Sequence, residues 1–312
     1  MKLSTGNNNR WQVHLRAVIN MYRNGLKYAQ SHGVQFDAEE DLKDGTHNDH
    51  PPLRRDPIVQ SPEIVQRAMQ YRFVTCRIIW LDIASSITSG TAPELMNSQT
   101  RLFDSDSKLK LDSVMGCRNW VMLQIGRIAS LHGDISQSLH QSQFDCTKVK
   151  ESAEDIERVI LFGAAQEAFA GFNACDNAAL FLASAVSDPA QLITNMFACM
   201  ANIYLHLVVQ GFLNLDIVTP SLSLAIGSLQ SRDTAHLVPA LILPLFVMGS
   251  VAGETDKRVF RDVFSSPPVL DPLFGHRGKI LPLLEEIWKG RQLSPTFAWK
   301  DCLEIIGGML LI

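Results

Sequence analysis

Residues 189–215 read PAQLITNMFACMANIYLHLVVQGFLNL, twenty-seven positions without a single Asp, Glu, Lys or Arg. Apolar residues recur through the stretch at helical spacing, and Pro189 stands where a first helical turn tolerates it, so the segment predicts a helix from Pro189 to Asn214. A second uncharged stretch runs from Thr234 to Gly253. Both are long enough to imitate membrane spans, but Asn195, Asn202, His206 and Gln210 in the first and Pro239 and Pro244 in the second are poor material for a lipid-facing helix. Both are therefore expected in a protein core.

Outward from these stretches the same period continues. Helices are expected over Trp11–Ala29, Glu63–Ser89, Val114–His132, Cys146–Ser187, Val238–Ala252, Leu281–Gly290 and Thr296–Leu311, with Ser61-Pro62 opening the second. No stretch alternates with a strand period, and Gly90, Gly133, Pro189, Pro220 and Pro267-Pro268 fall where helices should stop. The expectation is an all-α fold, one helical domain over residues 1–312, with at most a weak division near residue 188. Its long connection, about residues 31–60, reads as a mobile lid or a disordered crossover.

With 46% apolar residues in 312 the chain has ample material for a core, and its net charge of −4 gives no broad basic field for phosphates. Direct nucleic-acid binding is thus not expected. The six cysteines are scattered with no Cys-x-x-Cys pair, which disfavours structural zinc and predicts reduced thiols in an intracellular protein. Thr46, His47, Asn48, Asp49 and His50 resemble a metal site in composition only. The sequence holds no nucleophile elbow, Walker loop, dinucleotide fingerprint or His-Glu-x-x-His.

Five blocks carry a resemblance. They are His14-Leu15-Arg16-Ala17, Trp80-Leu81-Asp82-Ile83-Ala84-Ser85-Ser86-Ile87-Thr88-Ser89-Gly90, Gly116-Cys117-Arg118-Asn119-Trp120, Leu243-Pro244-Leu245-Phe246-Val247-Met248-Gly249 and Phe297-Ala298-Trp299-Lys300-Asp301. In this order and spacing the chain resembles the all-helical regulatory domain that follows the zinc cluster in fungal-specific transcription factors. The DNA-binding zinc cluster itself is not in the sequence. Asp82 has its counterpart in the family and reads as structural, whereas Asp176 stands where the family more often has a basic residue.

Three constellations are candidates for chemistry. Asn195, Cys199, Asn202 and His206 follow one another at intervals of four, three and four, which confines them to a single helix stripe, continued by Gln210. The stripe is either a weakly polar outer face or a buried one that needs hydrogen-bonding partners. Asn173, Asp176 and Asn177 share a face and carry hard oxygen donors suited to Mg²⁺, although pairing of Asp176 with Arg127 or Arg158 would serve equally. Arg77 and Lys257 are the cations considered for a phosphate contact, with an ordinary surface or ion-pair role open to Arg77.

The resemblance supports two functions. Free-standing relatives in fungal biosynthetic clusters include unconventional sesquiterpene cyclases, and a chain read as complete from Met1 without a DNA-binding module fits such a recruitment. This enzyme reading expects Mg²⁺-dependent cyclisation of farnesyl diphosphate, an isoprenoid diphosphate. It places metal on Asn173, Asp176 and Asn177 and catalysis on Asp176, Asn202 and His206. Substrate would lie against Arg77, Lys257, Phe169, Phe172, Phe197 and Tyr204, aromatic residues that serve equally as core. No Asp-Asp-x-x-Asp supports it. The alternative is a transcriptional regulator or co-regulator acting through its helical domain. The enzyme reading predicts a cytoplasmic protein and the regulator reading a nuclear one; either is compatible with a homodimer.

Overall fold

In a computed structural model of the chain, the described residues are 10–31, 62–96, 109–140, 145–173, 188–230 and 232–311. Every regular element among them is helical, as the periodicity predicts. The α-helices are α1 (Arg10–Ser31), α2 (Pro62–Ser89), α3 (Asp112–Met115), α4 (Asn119–His140), α5 (Cys146–Asn173), α6 (Pro189–Gln210), α7 (Thr219–Leu229), α8 (Ile242–Val251), α9 (Lys257–Phe264), α10 (Ile280–Leu293) and α11 (Trp299–Ile306). Tighter 3₁₀ turns cover Leu215–Ile217, Arg232–Leu241 and Pro272–Lys279. The expected connection at 31–60 lies, apart from Ser31, outside the described residues, as does the 174–187 part of the helix expected to reach Ser187.

The uncharged stretch from Pro189 forms the central, mostly buried helix of the described residues. Asp188 caps α6 by accepting a hydrogen bond from the Ala190 N–H at 3.1 Å, and Pro189 follows in the first turn, where a missing N–H costs nothing. From Ile193 to Leu207 nearly every side chain of α6 is buried, and the helix packs against α4, α5, α7, α8 and the 3₁₀ segment before α8. By length and composition α6 would cross a membrane, yet 72% of its most apolar window is buried inside the protein. Its apolar surface is used by neighbouring helices.

All ten residues of α8 are buried. Pro244 sits in its first turn, so the proline that disqualifies a lipid-facing helix is harmless here. Around α6 and α8 the buried side chains form one continuous cluster from Ile19 on α1 to Leu311, including Ile79, Ile83, Met122, Ile125, Phe197, Tyr204, Phe246 and Phe260. Each such residue, fully removed from water, contributes roughly 1.5–3 kcal/mol before the entropy of ordering it is counted.

Several boundaries differ from expectation. The helix expected from Val114 to His132 is two helices, because Gly116 adopts φ +74° and ends α3, while α4 continues to His140. The helix expected from Val238 is 3₁₀ as far as Leu241, since Pro239 and Pro244 remove two N–H donors from an α-helical ladder. α6 stops at Gln210, and α7 and α9 were not anticipated.

Candidate functional site

Two members of the polar stripe of α6, Asn202 and His206, are used internally. Asn202 donates through Nδ2 to the Ser221 hydroxyl at 2.9 Å, tying α6 to α7, and His206 Nε2 lies 2.6 Å from the Leu213 carbonyl oxygen. A carbonyl only accepts, so that nitrogen carries the proton and fixes the chain just after the helix end. Cys199 is buried, and Thr194 one turn earlier donates to the Ala190 carbonyl at 2.6 Å while accepting from the Arg118 N–H. Asn202 and His206 line a groove of about 240 Å³ together with Glu154, Glu157 and Val209.

Phe197 and Tyr204 lie in the packed core, each at most 1% exposed. The Tyr204 ring meets His132 and Trp299 edge to face, with its hydroxyl 3.5 Å from His132 Nδ1. Burial pushes the Tyr204 phenol above its ordinary range and lowers the His132 imidazole. Asp176 and Asn177 lie outside the described residues, as do the side chains of Phe169, Phe172 and Asn173 and the whole His47 to His50 segment. Arg127 and Arg158, considered as partners of Asp176, both engage Asp155, at 2.6 and 3.4 Å. Among the described residues no three His, Cys, Asp or Glu side chains are grouped for a metal ion.

Arg77 and Lys257 are not brought together. Arg77 is exposed on α2 with its guanidinium 5.4 Å from the Phe73 ring, whereas Lys257 is buried at the start of α9. Its Nζ donates to Glu254 at 2.5 Å and stands 5.3 Å from the centre of the Trp288 ring. That hydrogen bond holds the Glu254 carboxyl below the usual carboxylate range.

Lys257 lines a cleft of about 360 Å³ between the segment after α6, the end of α8, α9 and α10. Trp288 forms one wall, its indole N–H donating to the Gly249 carbonyl at 2.7 Å. Arg291, one turn along α10, donates through Nη1 to the carbonyls of Ser250 and Ala252 at 2.6 and 3.2 Å, meeting the negative end of α8. The same guanidinium stacks 5.0 Å from the Phe212 ring, and Phe212 in turn lies against Phe297, their centres 5.6 Å apart. Burial lowers the Arg291 pKa from its ordinary value, and no carboxylate pairs with it among the described residues. Trp288, Arg291, Phe212 and Phe297 were missed in the sequence. The i, i+3 spacing of Trp288 and Arg291 was a usable signal, but the approach of Phe212 to Phe297 is long-range.

The blocks that carry the resemblance hold joints of this frame. Asp82, 2% exposed, accepts the Glu94 and Leu95 N–H groups at 3.0 and 2.9 Å and so closes the turn after α2. Arg16 and Arg23 of α1 reach Glu94 from outside. Arg118 and the Trp120 indole both donate to one oxygen of the buried Glu167, at 2.6 and 3.2 Å. Asp301 accepts from the Ala298 N–H at 2.7 Å where α11 begins.

Residues 1–311 match the fungal-specific transcription factor domain. The chain belongs to that family. Within the fungal-specific transcription factor domain family, it is 35% identical over 305 residues to the Pestheic acid cluster transcriptional regulator 3 of Pestalotiopsis fici, covering 97% of this chain and 53% of that protein. It is 23% identical to the transcription factor dibT of Pestalotiopsis microspora, over all of this chain and 52% of that protein. A third relative, the trichothecene biosynthesis transcription regulator TRI10 of Fusarium sporotrichioides, is 26% identical over 77% of this chain and 54% of its own length. The chain thus spans about half the length of the curated relatives it matches. No solved structure matches it.

These relatives overturn the enzyme reading. The family match and the three relatives, each named as a transcription regulator or transcription factor, contradict a sesquiterpene cyclase with its lyase chemistry and its farnesyl diphosphate substrate. The Mg²⁺ expectation falls on Asn173, Asp176 and Asn177, whose side chains lie outside the described residues.

Proposed function

We propose that the chain is the regulatory domain of a transcription regulator that controls a biosynthetic gene cluster in a fungus. The observation that carries this reading is the family match from residue 1 to 311, together with the 35% identity to a cluster regulator over 97% of the chain. The nucleus, rather than the cytoplasm expected of the enzyme, is its site of action.

Two features support a regulatory rather than a chemical role. Asn202 and His206, two of the residues considered for catalysis, hydrogen-bond to Ser221 and the Leu213 carbonyl, and Tyr204 packs against His132 and Trp299. Groups locked in this way hold helices in register. With a net charge of −4, this part of the molecule is suited to sensing and protein contact, while delivery to DNA requires a basic module elsewhere or a partner that supplies one. Deleting the gene and measuring transcripts genome-wide tests the reading. A coordinated change in one set of biosynthetic genes, reversed by restoring the gene, is the expected result; transcript levels that stay at wild type throughout would refute it.

A further inference from the structure

We propose that the cleft walled by Phe212, Trp288, Arg291 and Phe297 is an effector site for a planar aromatic molecule bearing one carboxylate. The proposal deepens the regulator reading by giving the helical body a small-molecule input. Binding itself is measured on the purified chain and does not depend on what the chain does to transcription.

Three properties of the cleft select this ligand. The first is charge. Lys257 and Arg291 bring two positive charges and Glu254 one negative, so the lining carries one net positive charge. Glu254 already neutralises Lys257 at 2.5 Å, which leaves Arg291 as the cation without a carboxylate. A guanidinium partly taken out of water, answered by backbone carbonyls and the Phe212 ring and only at a distance by Glu254, gains more from an anion than an exposed one does.

The second is shape. The Arg291 fork uses Nη1 for the carbonyls of Ser250 and Ala252, leaving its other edge for a second planar partner. A carboxylate matches two parallel N–H donors, which a cation or an uncharged amide does not. The third is the walls. Phe212, Phe297 and Trp288 line the cleft with aromatic carbon, Arg291 lying over one face of Phe212 and Lys257 over Trp288, and Ala252, Gly253 and Pro295 complete the lining with small residues. At about 360 Å³ the space is at the lower end of the range typical of small-molecule sites and suits a fused two-ring or three-ring system rather than a long flexible chain.

The test uses the purified full chain at pH 7 with 2-naphthoate, and with 2-naphthamide as an uncharged probe of the same rings, by calorimetric titration. The expected result is binding of naphthoate at least ten-fold tighter than the amide, lost in Arg291→Gln. Because Arg291→Gln also removes a donor from two helix-end carbonyls and risks the fold, Glu254→Gln is the second variant. Glu254 is exposed, and removing its charge should tighten naphthoate binding several-fold. Absence of naphthoate binding at millimolar concentration, equal binding of the amide, or an unchanged affinity in folded Glu254→Gln would each overturn the proposal.

Discussion

Trp120 and Gly163 compete for one space: a Cβ placed on Gly163 would stand 2.6 Å from Cζ3 of the Trp120 indole. The tryptophan therefore lies flat on the backbone of α5, and one turn further along that helix Glu167 receives its indole N–H at 3.2 Å. Packing and hydrogen bonding fix the same ring from two sides.

Gly163→Ala is expected to destabilise the protein by about 1–3 kcal/mol, because a methyl group must displace a partly buried ring packed against the core, even though alanine is the better helix former. Gly227 in α7 is the control. Nothing lies within 4 Å of a Cβ there, so Gly227→Ala should be neutral or stabilising by up to about 1 kcal/mol. Urea denaturation followed by circular dichroism separates the two; equal effects would remove Trp120 from this account.

The Arg118–Glu167 pair predicts non-additivity. Arg118→Met leaves the Glu167 carboxylate, 5% exposed, without its cation and should cost about 2–4 kcal/mol. Adding Glu167→Met removes the stranded charge, so the double variant should be more stable than the two single losses predict. A double-mutant cycle measured by denaturation gives the coupling directly, and additive losses would show that the pair contributes nothing as a unit.

Asp82 predicts a pH dependence. Burial pushes its carboxyl up to about 6, above the value of roughly 3.9 for an unfolded chain, against the pull of the two N–H groups it accepts. A group with a raised folded pKa holds its proton more tightly when folded, so its contribution is complete below about pH 4 and is lost as pH rises through about 6. Asp82→Asn turns an N–H donor toward a backbone N–H and should cost about 1–3 kcal/mol. Its deficit relative to wild type should be largest near pH 4 and should shrink toward pH 7. A deficit independent of pH would show that Asp82 is ionised throughout.

The core of this fold was legible because it is written locally. The absence of charge from Pro189 to Leu215 marks α6, and Asp188 beside Pro189 marks its start. Breaks caused by one residue's conformation were harder to read: Gly116 sits in an otherwise helical pattern, and only its left-handed φ shows that two helices meet there. α9 was missed although Phe260 and Phe264 are one turn apart, because eight residues give little periodicity to detect. The candidate cleft was legible only through Lys257. Its other walls come from residue 212 and from residues 288–297, and nothing in a linear pattern brings Phe212 to Phe297. The partners of two polar residues on α6 were illegible for a related reason. Asn202 and His206 look available in the sequence, but their partners, Ser221 and the Leu213 carbonyl, come from segments that fold back on α6.

Tethering this chain to an unrelated DNA-binding domain, over a reporter gene in a fungal host, tests its central assignment most directly. A regulatory domain should shift reporter transcription several-fold from the level set by the DNA-binding domain alone, with the fusion concentrated in the nucleus. Reporter output that stays at that level, although folded fusion protein is present in the nucleus, would contradict the account.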